Sequence, residues 1–224
     1  MLKRVTFSGI DQQTKVQDLK KLYEKYPFVE FVFLYYQQAN QKGEGRYPKT
    51  AMLKEYQQAN LPMALHICGR IAVDLIYDSN WSAVYRELDG YMELFDRIQL
   101  NIAKAKRFSR EMTFPEDKQI IIQLHEGTEE LFNCYKHLPN VVGFQDSSGG
   151  RGIVQTQWMP PETEPFGYAG GIGPENVVAV VRELNEICKE DYWIDMEAAI
   201  RTDDRFDIRK CESVCRQLTE AGLI

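Results

Sequence analysis

The segment Tyr168-Ala-Gly-Gly-Ile-Gly-Pro-Glu-Asn176 gives the clearest indication of the fold. The apolar run Phe166–Ala169 is typical of a strand, the glycines after it of a turn, and Pro174 of the first position of a helix. Consecutive glycines allow close approach of a ligand, and backbone N–H groups at the start of a helix attract anions. We therefore expect a strand–turn–helix unit in which Gly170 and Gly171 hold an anion.

A second segment with the same pattern, Gly143-Phe-Gln-Asp-Ser-Ser-Gly-Gly-Arg-Gly152, lies shortly before the first. Its turn contributes Gly149 and Gly150. Each segment alone is also compatible with a tight turn that binds nothing. Together they would lie at neighbouring strand ends, and the loops after the late strands of an α/β barrel commonly hold phosphate. We predict that the two turns form a phosphate site.

The whole chain alternates short β-branched and aromatic runs with amphipathic stretches, which is the pattern of repeated βα units. The eight predicted strands are Arg4–Ser8, Phe28–Tyr36, Met63–Ile67, Asp96–Leu100, Gln119–Leu124, Val141–Gln145, Phe166–Ala169 and Tyr192–Met196. The six clearest helices are Gln13–Lys25, Tyr47–Ala59, Ser79–Leu88, Thr128–Lys136, Pro174–Cys188 and Phe206–Glu220. These elements predict a single (β/α)8 TIM barrel of the α/β class, with an eight-stranded parallel sheet and one domain over residues 1–224.

Two intervals interrupt the alternation. Gln37–Arg46 is polar and contains glycine, and Ser147–Pro165 has little helical pattern. Both follow the carboxyl ends of strands, where long loops of a barrel tend to carry function. We therefore expect both intervals to be functional loops.

Composition limits the classes of partner. The chain has 224 residues, a net charge of −6 and no cluster of basic residues, which argues against a nucleic-acid surface. No apolar run approaches the length of a bilayer span, and the start of the chain lacks a signal-peptide pattern. The five scattered cysteines indicate reduced thiols. We expect a cytoplasmic protein, monomeric or homodimeric, that acts on a small molecule and has no membrane or nucleic-acid partner.

The chain resembles phosphoribosylanthranilate isomerase, a small barrel enzyme of tryptophan synthesis. Ala169–Val177 is similar to that family's Ala-Gly-Gly-Leu-x-Pro-Glu-Asn-Val, and Asp146–Gly152 is similar to its Asp-Ser followed by a glycine-rich loop. Phe95–Leu100 resembles the strand-four motif Phe-Asp-x-Val-Gln-Leu. Gly45-Arg46-Tyr47 falls where the family has Ser-x-Arg-Tyr. The resemblance implies that Arg46 holds a substrate carboxylate.

The resemblance also implies an acid and a base for an Amadori rearrangement. The family's general acid is an aspartate that ends strand six, and this position is Asp146 here. Its general base is a cysteine that ends strand one, and this position is Ser8. A serine hydroxyl ionises far less readily than a thiol. Because general-base help contributes about 10²–10⁴ in rate, we expect the family reaction to be badly impaired.

Strand eight departs from the family pattern as well. Where the family has small residues that complete its phosphate site, this chain has Glu197, Ala198 and Ala199. A carboxylate directed at a phosphate repels it unless a cation such as Arg151 or Arg201 intervenes. Alternatively, Glu197 points outward and leaves the phosphate site intact. Since strands eight and one are neighbours in a closed barrel, Glu197 should lie near the end of strand one and could replace the lost base.

Four further polar side chains end strands three to five. His66 and His125 are each either a base at neutral pH or a hydrogen-bonded structural group. Gln99 and Asn101 add neutral hydrogen-bonding groups that suit a polyol. These residues are predicted to bind substrate, with His66 as an alternative base.

Three hypotheses follow. The first is an isomerase of a small sugar-like or sugar-phosphate substrate, of the aldose–ketose type of intramolecular oxidoreductase and without a cofactor, in which Asp146 is the acid and Glu197 or His66 the base. The second is a metal-dependent sugar epimerase or lyase that uses His66, His125, Asp146 and Glu197 as ligands. The third is a catalytically silent barrel that binds a metabolite.

Overall fold

The computed structural model describes residues 1–88, 90–105, 107–146 and 155–224. Eight parallel strands close into a barrel in the order β1 to β8. The closure joins β1 to β8, with Thr6 opposite Asp195 and Phe7 opposite Met196. The predicted (β/α)8 TIM barrel is therefore confirmed.

The strands end close to the predicted positions because their apolar runs stop where polar or glycine residues begin. They are β1 Leu2–Phe7, β2 Val29–Tyr35, β3 Met63–Cys68, β4 Phe95–Asn101, β5 Gln119–Leu124, β6 Val141–Gln145, β7 Phe166–Tyr168 and β8 Tyr192–Met196. Every strand ends within one residue of its prediction.

The helices differ more from the prediction. They are α1 Val16–Lys25, α2 Gln37–Lys42, α3 Leu53–Gln58, α4 Arg70–Asp78, α5 Trp81–Glu87, α6 Glu129–Tyr135, α7 Val177–Ile187 and α8 Ile208–Glu220. The sequence reading missed α4 altogether. It also interpreted the short helix α2 as loop. In the connection from β4 to β5, residues 102–105 and 107–118 contain no α-helix.

Helix α2 forms without an apolar stripe because one buried amide holds its first turn. Asn40 is 2% exposed and accepts a hydrogen bond from the Tyr36 backbone N–H. Its side-chain Nδ2 donates to the carbonyl oxygens of Leu34 and Pro48. The segment is therefore tied to the end of β2 and to the chain that follows α2.

Alternate residues of each strand face opposite sides of the barrel wall. The larger apolar cluster lies between the strands and the helices and includes Val5 and Phe7 of β1. The side chains that point into the barrel are both apolar and polar: they comprise two small apolar clusters and several buried polar groups. We call the buried residues Glu30, Arg97, His66 and Asp195 the polar column. Glu30 and Arg97 lie in the first half of their strands, and His66 and Asp195 lie in the second half of theirs.

An ion pair forms the amino-terminal part of the polar column. Arg97 Nη1 lies 2.7 Å from Glu30 Oε2, and both side chains are at most 5% exposed. Glu30 also accepts hydrogen bonds from Arg4 and Thr6. The Arg97 guanidinium lies 4.1 Å from the ring centre of Trp193. Burial lowers the pKa of Arg97 and its neighbour Glu30 opposes that effect.

A short hairpin follows β8. Its strands are β9 Arg201–Thr202 and β10 Arg205–Phe206. Asp11, in the connection from β1 to α1, accepts hydrogen bonds from Arg201 Nη2 and from the Phe206 backbone N–H. The hairpin that follows β8 is thereby joined to the segment that follows β1. Within the described ranges, no helix combines the length and the apolar character needed to cross a membrane.

Candidate active site

A pocket of about 390 Å³ opens at the carboxyl ends of the strands. The predicted site residues that line it are Arg46, His66, Gln99, Asn101, His125, Asp146, Gly170, Gly171 and Glu197. Gly149, Gly150 and Arg151 lie outside the described residues. Ser8 is 1% exposed and is not among the described residues of the pocket wall.

Asp146 lies directly after β6 and is 6% exposed. The side-chain Nε2 of Gln123, on the neighbouring strand β5, donates a hydrogen bond of 2.9 Å to Asp146 Oδ2. It also lies 3.3 Å from the Asp146 carbonyl oxygen. Gln123 therefore fixes the carboxyl group at the pocket wall.

Asp195 is a pocket residue that the sequence reading did not assign. It is 5% exposed, and its Oδ1 accepts a hydrogen bond of 2.7 Å from Ser8 Oγ. Burial raises its pKa well above the usual value; the Ser8 hydrogen bond opposes this, whereas the charges of Glu197 and Asp146 add to it. The only signal in the sequence was an acidic residue within the apolar strand Tyr192–Met196.

His66 faces the same volume but is a weak base. Its Nε2 lies 3.8 Å from Asp195 Oδ2, which is too long for a hydrogen bond. Burial and the nearby charge of Arg97 lower its pKa to about 3. The imidazole is therefore neutral near neutral pH and is suited to hydrogen bonding rather than to proton abstraction.

His125 has both ring nitrogens hydrogen-bonded to the backbone. Its Nδ1 accepts from the Gly127 N–H at 3.0 Å, and its Nε2 lies 2.9 Å from the carbonyl oxygen of Ile102. Since a carbonyl only accepts, Nε2 carries the proton. Of the two roles considered for His125, this arrangement matches that of a hydrogen-bonded structural group. The ring joins the residue after β4 to the loop after β5.

Arg46 and Glu197 both line the pocket and form an ion pair with each other. Arg46 Nη2 also lies 3.6 Å from Asp204 Oδ1 of the hairpin. Glu197 lies beside β1, because a Cβ added at Gly9 would lie 3.3 Å from Glu197 Cγ. Burial raises the pKa of Glu197 and Arg46 opposes this effect. A substrate carboxylate would therefore compete with Glu197 for Arg46.

A chain of hydrogen bonds runs along the wall formed by β3 and β4. Asn101 Nδ2 donates to Cys68 Sγ at 3.4 Å, and Gln99 Nε2 donates to Asn101 Oδ1 at 2.5 Å. Gln99 Oε1 is buried and has no hydrogen-bond partner among the residues described. Burial raises the pKa of Cys68 to about 11, so that its thiol stays protonated. The wall thus consists of neutral groups and ends in an unused acceptor.

A glycine turn follows β7 as predicted, but α7 begins at Val177 and not at Pro174, which lies in a turn before the helix. Gly170 has φ of 119° and Gly171 has φ of 67°, both unfavourable for residues with a Cβ. Asn176 shapes the turn, because its Oδ1 accepts from the Gly173 N–H and its Nδ2 donates to the Gly171 carbonyl. Ala199, next to this turn, would be 2.4 Å from a Cβ at Gly173. The turn therefore packs closely against the segment after β8.

The metal hypothesis lacks a ligand set in the described part of the chain. No group of three or more histidine, cysteine, aspartate or glutamate side chains is placed there to hold a metal ion. The two histidines of that hypothesis have different partners: His125 is hydrogen-bonded to the backbone, and His66 lies beside Asp195.

The barrel is similar to solved phosphoribosylanthranilate isomerases. A structure of monomers generated from the dimeric enzyme of Thermotoga maritima has 15% identity and a TM-score of 0.59, and the match covers 98% of this chain and 99% of that one. The enzyme from Thermococcus kodakaraensis has 14% identity and a TM-score of 0.54, with 96% and 97% covered. That from Pyrococcus furiosus has 15% identity and a TM-score of 0.53, with 97% and 98% covered. The resemblance found in the sequence is confirmed at the level of the fold.

No protein-family model matches the chain, and no curated protein matches it by sequence.

Proposed function

We propose that this protein is an isomerase of a small sugar-like or sugar-phosphate substrate, of the aldose–ketose type. The observation that carries the proposal is the position of Asp146, held by Gln123 in a pocket that it shares with a second carboxylate, Glu197. Such an isomerisation needs one group that gives a proton to oxygen and another that takes a proton from carbon. Two carboxyl groups in one pocket are suited to these two tasks.

Asp146 is the proposed general acid, which protonates the ring oxygen as the sugar opens. Glu197 is the proposed general base. It is preferred over His66 because the low pKa of His66 makes that imidazole a poor proton acceptor. The side chain of Glu197 is also 21% exposed, so that it can be reached from the pocket. Arg46 holds the Glu197 carboxylate in place in the absence of substrate.

The remaining pocket groups support a polyhydroxylated substrate. Gln99 and Asn101 offer neutral amides, and the unused Gln99 Oε1 needs a donor such as a hydroxyl group. Gly170 and Gly171 are proposed to bind a phosphate if the substrate carries one. Because Arg46 neutralises Glu197, the repulsion expected between Glu197 and such a phosphate is reduced.

The test is deuterium incorporation from D2O into carbon-bound positions of aldose and ketose substrates, followed by proton NMR. The panel includes D-ribose 5-phosphate, D-erythrose 4-phosphate and unphosphorylated pentoses. We expect enzyme-dependent exchange at the carbon next to the carbonyl, and a loss of about 10–100-fold in Glu197→Gln, at or below the usual range for a general base. Asp18→Asn, on the exposed side of α1, is the control variant. An enzyme that exchanges no proton of any panel member would contradict the proposal.

The second candidate is a barrel that binds a metabolite without turning it over. It is favoured by the state of the groups that could serve as bases: the Ser8 hydroxyl is committed to Asp195, the Cys68 thiol has a pKa of about 11, and the His66 imidazole a pKa of about 3. The same NMR samples distinguish the candidates, because binding without exchange would broaden or shift substrate signals and leave their deuterium content unchanged.

Turnover of phosphoribosylanthranilate itself is expected to be very poor, and Ser8→Cys should leave the rate within about tenfold of wild type. Ser8 is 1% exposed and bound to Asp195, so a thiol placed there would be buried and would resist ionisation as Cys68 does. Steady-state fluorescence assays of the wild type and the variant measure this. A wild-type rate close to that of an ordinary family enzyme, or a large gain in Ser8→Cys, would show that strand one still supplies the base.

A further inference from the structure

We infer that Asp195 is a further catalytic residue of this pocket, a proton donor to a substrate oxygen, and that Ser8 is its positioning residue. The inference rests on the proposed isomerase function and adds a second acid to it. It is based on where β8 and β1 place these side chains. Asp195 lines the pocket and is 5% exposed, while Ser8 is 1% exposed and lies directly after the neighbouring strand β1.

The hydrogen bond from Ser8 determines which oxygen of Asp195 can act. Oδ1 accepts from Ser8 Oγ at 2.7 Å, so that Oδ2 is the oxygen left to carry a proton. Oδ2 lies 3.8 Å from His66 Nε2, beyond hydrogen-bonding distance. A hydroxyl or carbonyl oxygen of a ligand could therefore take the Asp195 proton without competing with a direct bond to His66.

The surroundings of Asp195 favour the protonated carboxyl. A buried carboxylate is costly unless a cation lies beside it. Among the described residues, the side chain within ion-pair distance of Asp195 is His66, which is itself neutral. The other charged or titratable groups that act on Asp195 or pack around it are Glu197, Asp146, Glu30 and Arg97. Three of these four are acids, and Arg97 is already paired with Glu30.

The proposed step conserves atoms and electrons. In the open-chain aldose, Glu197 takes the proton from C2, and the electron pair of that bond forms the C1–C2 double bond. The π electrons of the carbonyl move to its oxygen, which takes the proton from Asp195 Oδ2, giving an enediol. In the second half, Asp195 takes the proton of the C2 hydroxyl as the C2 carbonyl forms, and Glu197 returns its proton to C1. C2 is oxidised, C1 is reduced, and no proton is consumed.

The resting protonation of Asp195 can be measured without any substrate. We expect the infrared difference spectrum between wild type and Asp195→Asn, at neutral pH, to contain the C=O band of a neutral carboxylic acid. Asn keeps an oxygen that can accept from Ser8, so the fold should be retained. Asp18→Asn, compared in the same way, is the matched control for a carboxyl group outside the pocket. A carboxylate signature for Asp195 would overturn the inference even if the protein proves to be an isomerase.

The catalytic role is tested on D-erythrose 4-phosphate, which cannot close a five-membered ring because its O4 is phosphorylated. Its isomerisation thus needs no ring opening and isolates the step assigned to Asp195. We expect Asp195→Asn to exchange deuterium about 10²–10⁴-fold more slowly than wild type. Exchange within about threefold of wild type would overturn the role. No exchange by the wild type with any sugar would overturn the isomerase proposal and this role together, while the infrared result would still decide the resting proton.

Ser8→Ala separates positioning from simple packing. The Ser8 hydrogen bond stabilises the ionised form of Asp195, so its loss should raise the pKa of Asp195. The alkaline limb of the pH–rate profile should therefore move to higher pH, and Ser8→Thr, which keeps a hydroxyl, should restore it. A lower rate with an unmoved alkaline limb would assign Ser8 a structural role only and would overturn that part of the inference.

Discussion

Asp146→Asn is expected to lower kcat/KM for D-ribose 5-phosphate by about 10²–10⁴-fold, the contribution of a general acid. Asparagine keeps the size of the side chain and an oxygen for the 2.9 Å hydrogen bond from Gln123, but it has no proton to give to the ring oxygen. The pocket should therefore stay intact while ring opening slows.

The comparison of two substrates makes this result specific. D-ribose 5-phosphate forms a furanose ring and D-erythrose 4-phosphate does not, so the loss in Asp146→Asn should be clearly smaller for the tetrose. The exchange rates of both substrates are measured by NMR. Gln123→Glu, which removes the amide donor, is measured as a second variant. Equal losses for both substrates would show that Asp146 acts after ring opening. An unchanged rate for both would remove Asp146 from the mechanism.

Glu30→Gln is expected to destabilise the protein by about 3–5 kcal/mol, the usual cost of leaving one member of a buried ion pair without its partner. Glutamine keeps an oxygen that can accept a hydrogen bond, but Arg97, which is 5% exposed, would lose the negative charge beside it. Its hydrogen bond to Gln119 and its contact with Trp193 involve neutral groups and would not compensate that loss. Arg97→Met should destabilise the protein less than Glu30→Gln, because Glu30 would still accept hydrogen bonds from Arg4 and Thr6.

Urea unfolding of the single and double variants measures these changes in the free energy of unfolding. The double variant should be less destabilised than the sum of the two, since it removes both charges of the pair. Glu162→Gln, which breaks the exposed pair with Lys136, is the control and should unfold like the wild type. A loss in Glu30→Gln no larger than in that control would show that the Arg97 charge is compensated elsewhere.

The strands could be predicted from the sequence because their signals are local. Apolar runs bounded by glycine, proline or polar residues fix where each strand ends, and β5, β6 and β8 were predicted to the residue. Helix α2 could not be found this way, since its six residues lack an apolar stripe and depend on the buried amide of Asn40. Helix α4 was missed because it starts immediately after β3, with only Gly69 between them.

The residues that form the site were easier to predict than their ion pairs and pKa values. Strand-end positions identified Asp146 and His66, the resemblance of Gly45-Arg46-Tyr47 to a family motif identified Arg46, and all three residues line one pocket. The ion pair of Arg46 with Glu197 and the low pKa of His66 depend on side chains that are distant in sequence. Asp195 was overlooked because a single acid in an apolar strand does not show which side chain it meets, and its contact with Ser8 is known only once β8 is paired with β1.

The polar column has a consequence for any attempt to re-engineer this barrel. Glu30 and Arg97 are absent from the described pocket wall, yet Arg97 lowers the pKa of His66 and Glu30 raises that of Asp195. Charges in a dry interior are weakly screened and act over several ångströms without any movement of the backbone. Replacing the ion pair by apolar residues to gain thermal stability would therefore also change the pH range in which the pocket can exchange protons.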